Sequence, residues 1–367
     1  MNMLYYFLYE KLYNPETMAS IFRVFKYITL RTAGATLTAL FISFIITPWI
    51  INRFKKNKMS QVLRVDHHKT NGTKSVTPTM GGISILIALT LSAALWSRWD
   101  ARFTLLMAIV TIGFGWLGFL DDYLKLIKKK PEGLVARYKF IGQVLIAGSI
   151  ALYLYYYPSH AVYGQAISIP FTSGAPLELG WFYIPFVMLV IVGTSNAVNL
   201  TDGMDGLAIG AVILATIGLI LTAYLVGHYK FAEYLKIIYI QSSGEITVYL
   251  GAMLGASIGF LWYNAHPAQI FMGDTGALSL GGILGTAAVL MKSELLLLII
   301  GGLFVIEALS VMIQVASFKF TGRRVFAMAP IHHHFELKGW SESKVVVRFW
   351  IIAGIFLLVG LSTFKLR

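Results

Sequence analysis

The sequence is divided into long apolar runs, each about as long as a lipid bilayer is thick. A membrane-spanning helix needs about 20 mostly apolar residues. Because lipid offers no hydrogen-bond partners to the backbone, such runs form helices. We therefore expect an all-α, polytopic integral membrane protein with about ten transmembrane helices. The predicted spans are Tyr27–Ile51, Met80–Trp96, Phe103–Leu120, Phe140–Tyr157, Ile184–Asn199, Gly206–Val226, Thr247–Asn264, Thr275–Met291, Leu295–Phe318 and Val345–Phe364.

The amino-acid composition agrees with a chain embedded in lipid. Of the 367 residues, 57% are hydrophobic and only 13% are charged, whereas a soluble domain has about 25% charged residues. The chain has no cysteine, which excludes disulfides, thiolate metal sites and cysteine nucleophiles. The N-terminal residues lack the pattern of a cleaved signal peptide, so we expect the first spans to direct insertion. No soluble domain fits between the runs, which predicts one transmembrane domain over residues 1–367.

Positively charged residues are concentrated in one of the two sets of loops. Lys and Arg number seven in loop 52–79, six in 121–139 and five in 319–344, whereas loop 158–183 has none. Because cytoplasmic loops are enriched in Lys and Arg, we place this set in the cytoplasm, both termini in the periplasm, and the protein in a bacterial inner membrane. The net charge of +13 fits both orientation near anionic lipid and a basic surface for an anionic substrate. The predicted cytoplasmic loops are 52–79, 121–139, 200–205, 265–274 and 319–344.

Aspartate and histidine are gathered on the same predicted face. Six of the seven Asp and six of the eight His lie in these loops or at their edges. The orientation rule concerns Lys and Arg and says little about acids, so this distribution favours a site over mere solvation. The residues are Asp66, Asp121, Asp122, Asp202, Asp205 and Asp274, with His67, His68, His266, His332, His333 and His334.

Three junctions on this face carry oxygen ligands that could bind a cation. Asp121 and Asp122 are adjacent at the end of a predicted span, where two like charges repel unless a cation intervenes. Asn199 and Asp202 lie in NLTDGMDG, and Asp274 immediately precedes an apolar run. Such ligands, together with substrate phosphates, suit Mg²⁺. The alternative is that the adjacent pair is solvated at the membrane boundary and that the other aspartates cap helices.

The internal segment MAPIHHHFELKGW contains three consecutive histidines, His332, His333 and His334. A triple histidine could bind a transition metal, but adjacent residues seldom converge on one ion. We therefore favour contacts between the imidazoles and phosphate oxygens.

Four residues of the first two cytoplasmic loops are candidates for holding a diphosphate. Most lysines there are explained by membrane orientation, but one or two could stabilise phosphate charge. The candidates are Lys74, Thr79, Lys125 and Lys139. Glu307 differs because it lies inside the ninth run, where an acid indicates a function. A hydrogen bond between Glu307 and either Ser310 or a neighbouring helix is the alternative.

Four motifs at predicted cytoplasmic helix ends carry a family resemblance. In order they are GFLDDYLK, NLTDGMDGL, FMGDTGALSLGG and MAPIHHHFELKGWSE. Together they resemble the polyprenyl-phosphate N-acetylhexosamine-1-phosphate transferases, from TPTMGG near position 80 to the last run. The histidine motif resembles the branch that transfers phospho-N-acetylmuramoyl-pentapeptide. The resemblance implies ten spans, a cytoplasmic active site and dependence on Mg²⁺.

For this branch, the implied reaction is the first membrane step of peptidoglycan synthesis. UDP-N-acetylmuramoyl-pentapeptide would react with undecaprenyl phosphate to give lipid I and UMP. Transfer of N-acetylglucosamine-1-phosphate is the nearest alternative, against which the histidine motif argues. A lipid carrier without chemistry is the second, but carriers usually place polar residues near the middle of the bilayer. A homodimer is compatible with the sequence.

The resemblance also implies roles for individual residues. Asp274 would be the first Mg²⁺ ligand and Asn199 the second, while Asp121 would deprotonate or orient the lipid phosphate with support from Asp122. His333 would join these aspartates as a catalytic residue. The substrate-binding residues would be Lys74, Thr79, Lys125, Lys139, Asn199, Asp202, Phe271 (stacked on uracil), His332 and His334.

The implied chemistry has two routes, one through a covalent phospho-aspartate and one by direct attack of the lipid phosphate. We favour direct attack, because a carboxylate near both the lipid phosphate and Mg²⁺ can act as a base. A single ternary complex then needs no intermediate.

Overall fold

Helices make up nearly all of the regular structure in the described part of the chain. The computed structural model describes residues 4–11, 18–56, 77–128, 133–172 and 176–366. The helices are α1 (Ile28–Lys56), α2 (Gly82–Trp96), α3 (Arg102–Leu126), α4 (Ala136–Tyr156), α5 (Tyr183–Thr201), α6 (Leu207–Val226), α7 (Tyr229–Tyr234), α8 (Ser243–Asn264), α9 (Gly273–Leu290), α10 (Glu294–Ile300), α11 (Gly302–Thr321), α12 (Ile331–Leu337) and α13 (Glu342–Ser362). Short helical turns lie at Tyr5–Lys11, Met18–Lys26 and Gly180–Phe182, and β1 (Ala166–Ile167) pairs antiparallel with β2 (Leu177–Glu178).

The prediction of an all-α polytopic membrane protein is confirmed. Within the described ranges, nine helical segments are long and apolar enough to cross a membrane, and α2 is a shorter apolar helix. The predicted run Leu295–Phe318 is not one helix, because the chain breaks at Gly301 between α10 and α11. Glycine has a low helix propensity, which explains why the break falls there.

Helix α9 lies at the centre of the bundle. Inside the protein, 89% of its apolar window is buried, compared with 22% for α11. It packs between α3 and α5, while α1 packs along α8. Gly, Ala and Ser are frequent in α9, and such small residues let helices approach closely in a membrane. The first turn of α9, with Asp274, therefore lies in the middle of one end of the bundle.

Large apolar side chains cover the outer surface. Trp49, Leu145 and Trp262 are 64%, 67% and 72% exposed. A soluble protein would leave few contiguous apolar patches in water. These side chains are therefore suited to contact lipid.

A buried ion pair joins the first helix to the eighth. The guanidinium of Arg31 donates from Nη1 and Nη2 to the two carboxylate oxygens of Glu245, at 2.9 and 2.7 Å. Glu245 also accepts a hydrogen bond from the backbone N–H of Arg98, just after α2. One carboxylate thus ties three segments together, at the end of α8 opposite Asn264.

We expect Glu245→Ala to destabilise the protein by about 3–5 kcal/mol, because it leaves a buried guanidinium without its carboxylate. Asp100→Ala is the matched control, since Asp100 forms an exposed ion pair with Arg98, and its loss should cost about 0–1 kcal/mol. Unfolding in detergent, followed by circular dichroism, measures both changes. Equal losses in the two variants would contradict the importance given to the buried pair.

Candidate active site

Three aspartates converge where the end of α3 meets the start of α9. Asp121, Asp122 and Asp274 each place one carboxylate oxygen within 4.8 Å of the others. Asp121 and Asp122 are both only 2% exposed. Gly118, one turn earlier on α3, allows this approach, because a Cβ there would collide with the backbone carbonyl of Asp274.

Two lysines offset two of the three negative charges of this acidic cluster. The Nζ of Lys125 lies 2.6 Å from Asp121 Oδ2 and 3.1 Å from Asp274 Oδ2. The Nζ of Lys139, from α4, lies 2.6 Å from the same Asp274 oxygen and 3.6 Å from Asp121 Oδ2. Asp121 Oδ1 also accepts a hydrogen bond from the backbone N–H of Leu134, at 2.6 Å. Each carboxylate oxygen of Asp121 therefore has a partner that fixes its orientation.

Asp122 caps helix α9. Its Oδ1 accepts from the backbone N–H of Asp274 at 3.2 Å, and its Oδ2 accepts from both the N–H and the hydroxyl of Thr275, at 2.9 and 2.6 Å. A carboxylate at a helix N-terminus is stabilised by the unpaired N–H groups and the helix dipole. The idea that Asp274 itself caps α9 is wrong. Asp274 lies inside the first turn, and its side chain contacts the lysines instead.

A cavity of about 270 Å³ opens beside the cluster. Its lining includes six of the residues predicted to form the site, together with Asp205. The lining residues are Thr79, Asp122, Asn199, Asp202, Gly203, Met204, Asp205, Asn264, Phe271, Gly273 and Asp274. Removal from water, reinforced by the negative charges of Asp274 and Asp122, raises the pKa of Asp202 to about 8.

The three histidines take different positions. His332 is fully buried. His333 is partly exposed, and its Nδ1 lies 3.1 Å from Glu336 Oε2. Burial, with the nearby His332, lowers the pKa of His333, which favours a neutral ring. His334 accepts a hydrogen bond from the backbone N–H of Ala327 and so braces the segment before α12. Lys74 lies outside the described residues.

Sequence reasoning overlooked two contributors to this region. Asn264 accepts a hydrogen bond from the N–H of Gly206 and donates one to the carbonyl of Ile270, which ties two loops of the site together. Thr275 anchors Asp122. Asn264 ends a predicted span on the same face as the aspartates, and Thr275 follows Asp274 directly. These positions in the sequence could have identified both residues as members of the site.

Asp205 belongs to a second cluster at the edge of the cavity. Its Oδ2 lies 3.0 Å from His266 Nδ1 and accepts from the N–H of Ala268, while its own N–H donates to Glu342 at 2.9 Å. The N-cap of α6 is Gly206, with a left-handed φ of 78°. Asp205 therefore joins its loop to α13 and to the segment after α8, and the helix-cap alternative does not apply to it.

Comparison with known proteins agrees with this combination of fold and site. The profile of the glycosyl transferase family 4 matches residues 103–292. Relatives called phospho-N-acetylmuramoyl-pentapeptide-transferase occur in Citrifermentans bemidjiense (49% identical), Desulforapulum autotrophicum (52%) and Thermodesulfovibrio yellowstonii (52%). Each match covers 98% of this chain and 100% of the relative. The chain therefore belongs to glycosyl transferase family 4, within its phospho-N-acetylmuramoyl-pentapeptide-transferase branch.

We expect Thr275→Val to destabilise the protein by about 1–3 kcal/mol, because the buried Asp122 carboxylate loses one of its hydrogen-bond donors. Thr216→Val is the control, since among the described residues the hydroxyl of Thr216 bonds only to a carbonyl of its own helix. Denaturant unfolding in detergent compares the two. A larger loss for Thr216→Val would contradict the role of Asp122 as the cap of α9.

Proposed function

We propose that this chain transfers phospho-N-acetylmuramoyl-pentapeptide from its UDP derivative to undecaprenyl phosphate, with lipid I and UMP as products. The observation that most directly supports this proposal is the cluster of three aspartates and two lysines, which opens onto a polar cavity. Both substrates are anionic at the reacting groups, so positive charge must be fixed where they meet. Lys125 and Lys139 supply such charge. The names of the relatives support phospho-N-acetylmuramoyl-pentapeptide as the transferred group.

The donor set of the site fits Mg²⁺. Carboxylate oxygens of Asp121, Asp122 and Asp274 lie close together, and Asn199 lines the adjoining cavity. Oxygen ligands that leave room for water and phosphate are typical of Mg²⁺ sites. We propose Asp274 as the first ligand and Asn199 as the second. When bound, Mg²⁺ would neutralise charge on the diphosphate.

The remaining candidates have proposed roles that follow from their positions. Asp121 is held by Lys125 and Leu134 and would orient the lipid phosphate or accept its proton. Lys125 and Lys139 would stabilise the negative charge that builds on the transferred phosphoryl group. Phe271 lines the cavity and would stack on uracil, while the neutral ring of His333 would contact the phosphate or sugar region.

The lipid phosphate is proposed to attack the diphosphate directly. Asp121 faces Asp274 and its lysines, so a base and the stabilising charges lie side by side. Incubation of the protein with the nucleotide sugar alone should leave all aspartates unmodified, as measured by mass spectrometry of peptides after acid quenching. An aspartate that gains phospho-N-acetylmuramoyl-pentapeptide without lipid, with release of UMP, and passes this group on when lipid is added would replace direct attack with the two-step route.

In the assay of the whole reaction, purified protein should release UMP from UDP-N-acetylmuramoyl-pentapeptide only when undecaprenyl phosphate and Mg²⁺ are both present. Asp274→Asn should lower the rate by ~10²–10³, which is typical for loss of one electrostatic stabiliser. Asp100→Asn is the control, because Asp100 lies in the exposed pair described above.

Two results would contradict the proposed transfer. UMP release only with UDP-N-acetylglucosamine would identify the alternative sugar-phosphate transfer. Movement of lipid across vesicles without any UMP would identify a carrier.

We further propose that the active site faces the cytoplasm, that both termini face the periplasm, and that the protein lies in the bacterial inner membrane as one catalytic domain. Because the sequence contains no cysteine, a maleimide will react with an introduced cysteine and with no native one. An impermeant maleimide should label Val162→Cys in intact spheroplasts and Lys128→Cys only in inside-out vesicles. Residue 162 is 69% exposed and residue 128 is also exposed, so both are accessible. The opposite labelling pattern would reverse the orientation.

A further inference from the structure

A buried acid on α11 faces the histidine segment. Glu307 and His332 are both 0% exposed, and Glu307 Oε2 lies 3.1 Å from His332 Nδ1. The hydroxyl of Ser310 donates to the backbone carbonyl of Glu307 and not to its carboxylate. The acid that stood out inside a predicted span thus has its side chain directed to α12.

The side chains of Glu307 and His332 are close polar neighbours. None of their side-chain polar atoms has another hydrogen bond within the described part of the chain, so the 3.1 Å approach of Glu307 Oε2 to His332 Nδ1 is the polar contact that the two side chains share. Buried polar groups are costly without a partner, which ties the position of each group to the other. A carboxylate opposite Nδ1 favours the imidazole form with a proton on that nitrogen.

The other edge of the His332 ring presses on the loop that lines the cavity. A Cβ at Gly203 would collide with His332 Nε2 and would approach His333 Nε2 to 3.3 Å. Gly203 follows Asp202 and lines the cavity. The ring of His332 also packs on that of His333, with 4.3 Å between the centroids. A rotation of His332 would therefore disturb both the cavity loop and His333.

We propose that Glu307 is a positioning residue that acts through His332, and that His332 holds the cavity loop and His333 in place without contacting the substrate itself. This proposal rests on the proposed transferase function for its kinetic test. It revises the expected substrate contact of His332, because a ring with no exposed surface cannot meet a soluble nucleotide in this conformation. Glu307 thereby connects the membrane helix α11 to the nucleotide side of the site.

The kinetic test measures kcat and KM for UMP release. Glu307→Leu should lower kcat/KM by about 10–100-fold, the usual effect of losing a group that orients a functional side chain. Glu307→Gln keeps an oxygen opposite Nδ1 and should restore activity to within about threefold of the unmodified protein. Glu294→Leu is the matched control. Glu294 is also buried, but it lies at the start of α10, whereas α12 follows the opposite end of α11. Its loss should leave kcat/KM unchanged.

A double-mutant cycle separates positioning from a general loss of structure. His332→Phe alone, Glu307→Leu alone and the double variant should have similar kcat/KM values, because residues that act as one unit are not additive. Additive losses would overturn the proposal, as would full activity of Glu307→Leu. Equal inactivity of Glu307→Gln and Glu307→Leu would also overturn it, because the negative charge itself would then be required. If the leucine variant does not fold, Glu307→Met replaces it.

A spectroscopic measurement tests the contact independently of activity. In ¹⁵N-histidine-labelled protein, the signal of His332 is assigned by its loss in His332→Phe. It should show a protonated Nδ1 in the unmodified protein and shift in Glu307→Leu. An unshifted signal would overturn the contact. If the unmodified protein releases no UMP, the proposed function fails, while this signal still decides whether Glu307 orients His332.

Discussion

The end of the bundle that holds the candidate active site depends on the interaction of Asp122 with the N-terminus of α9. The carboxylate accepts from two backbone N–H groups and one hydroxyl, so it satisfies donors that a helix start leaves unpaired. This interaction fixes the first turn of the most buried helix in relation to α3. Asp274 then has one orientation, and the lysines of α3 and α4 meet it there. The convergence of three acids is therefore a consequence of how one helix is capped.

Much of the architecture could be predicted because lipid imposes a simple requirement on the backbone. Apolar runs of sufficient length predicted the helices, and most ends agree with the structure to within a few residues, as for Thr247–Asn264 and α8. The break at Gly301 was missed because an apolar run has the same composition whether or not it is interrupted. The two-residue strands β1 and β2 were also not predicted, since strands this short leave no periodic signal.

The candidate site was predicted as a set of residue types on one face, and the structure brings six of them to a single cavity. What the sequence could not provide was which partner each group has. Asp122 and Asp121 are neighbours in the chain, yet one binds the start of a helix and the other binds lysines. Likewise, three consecutive histidines meet a buried acid, an exposed acid and a backbone N–H. Such assignments depend on helix rotation, which is set by packing across the whole bundle.

The contrast between α9 and α11 has a consequence for how sequences of this family can diverge. Helix α9 is buried over 89% of its apolar window and is rich in small residues, so it can exchange them only for others of similar volume. A helix that is 22% buried can change freely among apolar side chains. Substitutions should therefore accumulate on the periphery of the fold while the central helix stays nearly constant, and Glu307 should stand out as a fixed acid within an otherwise variable helix.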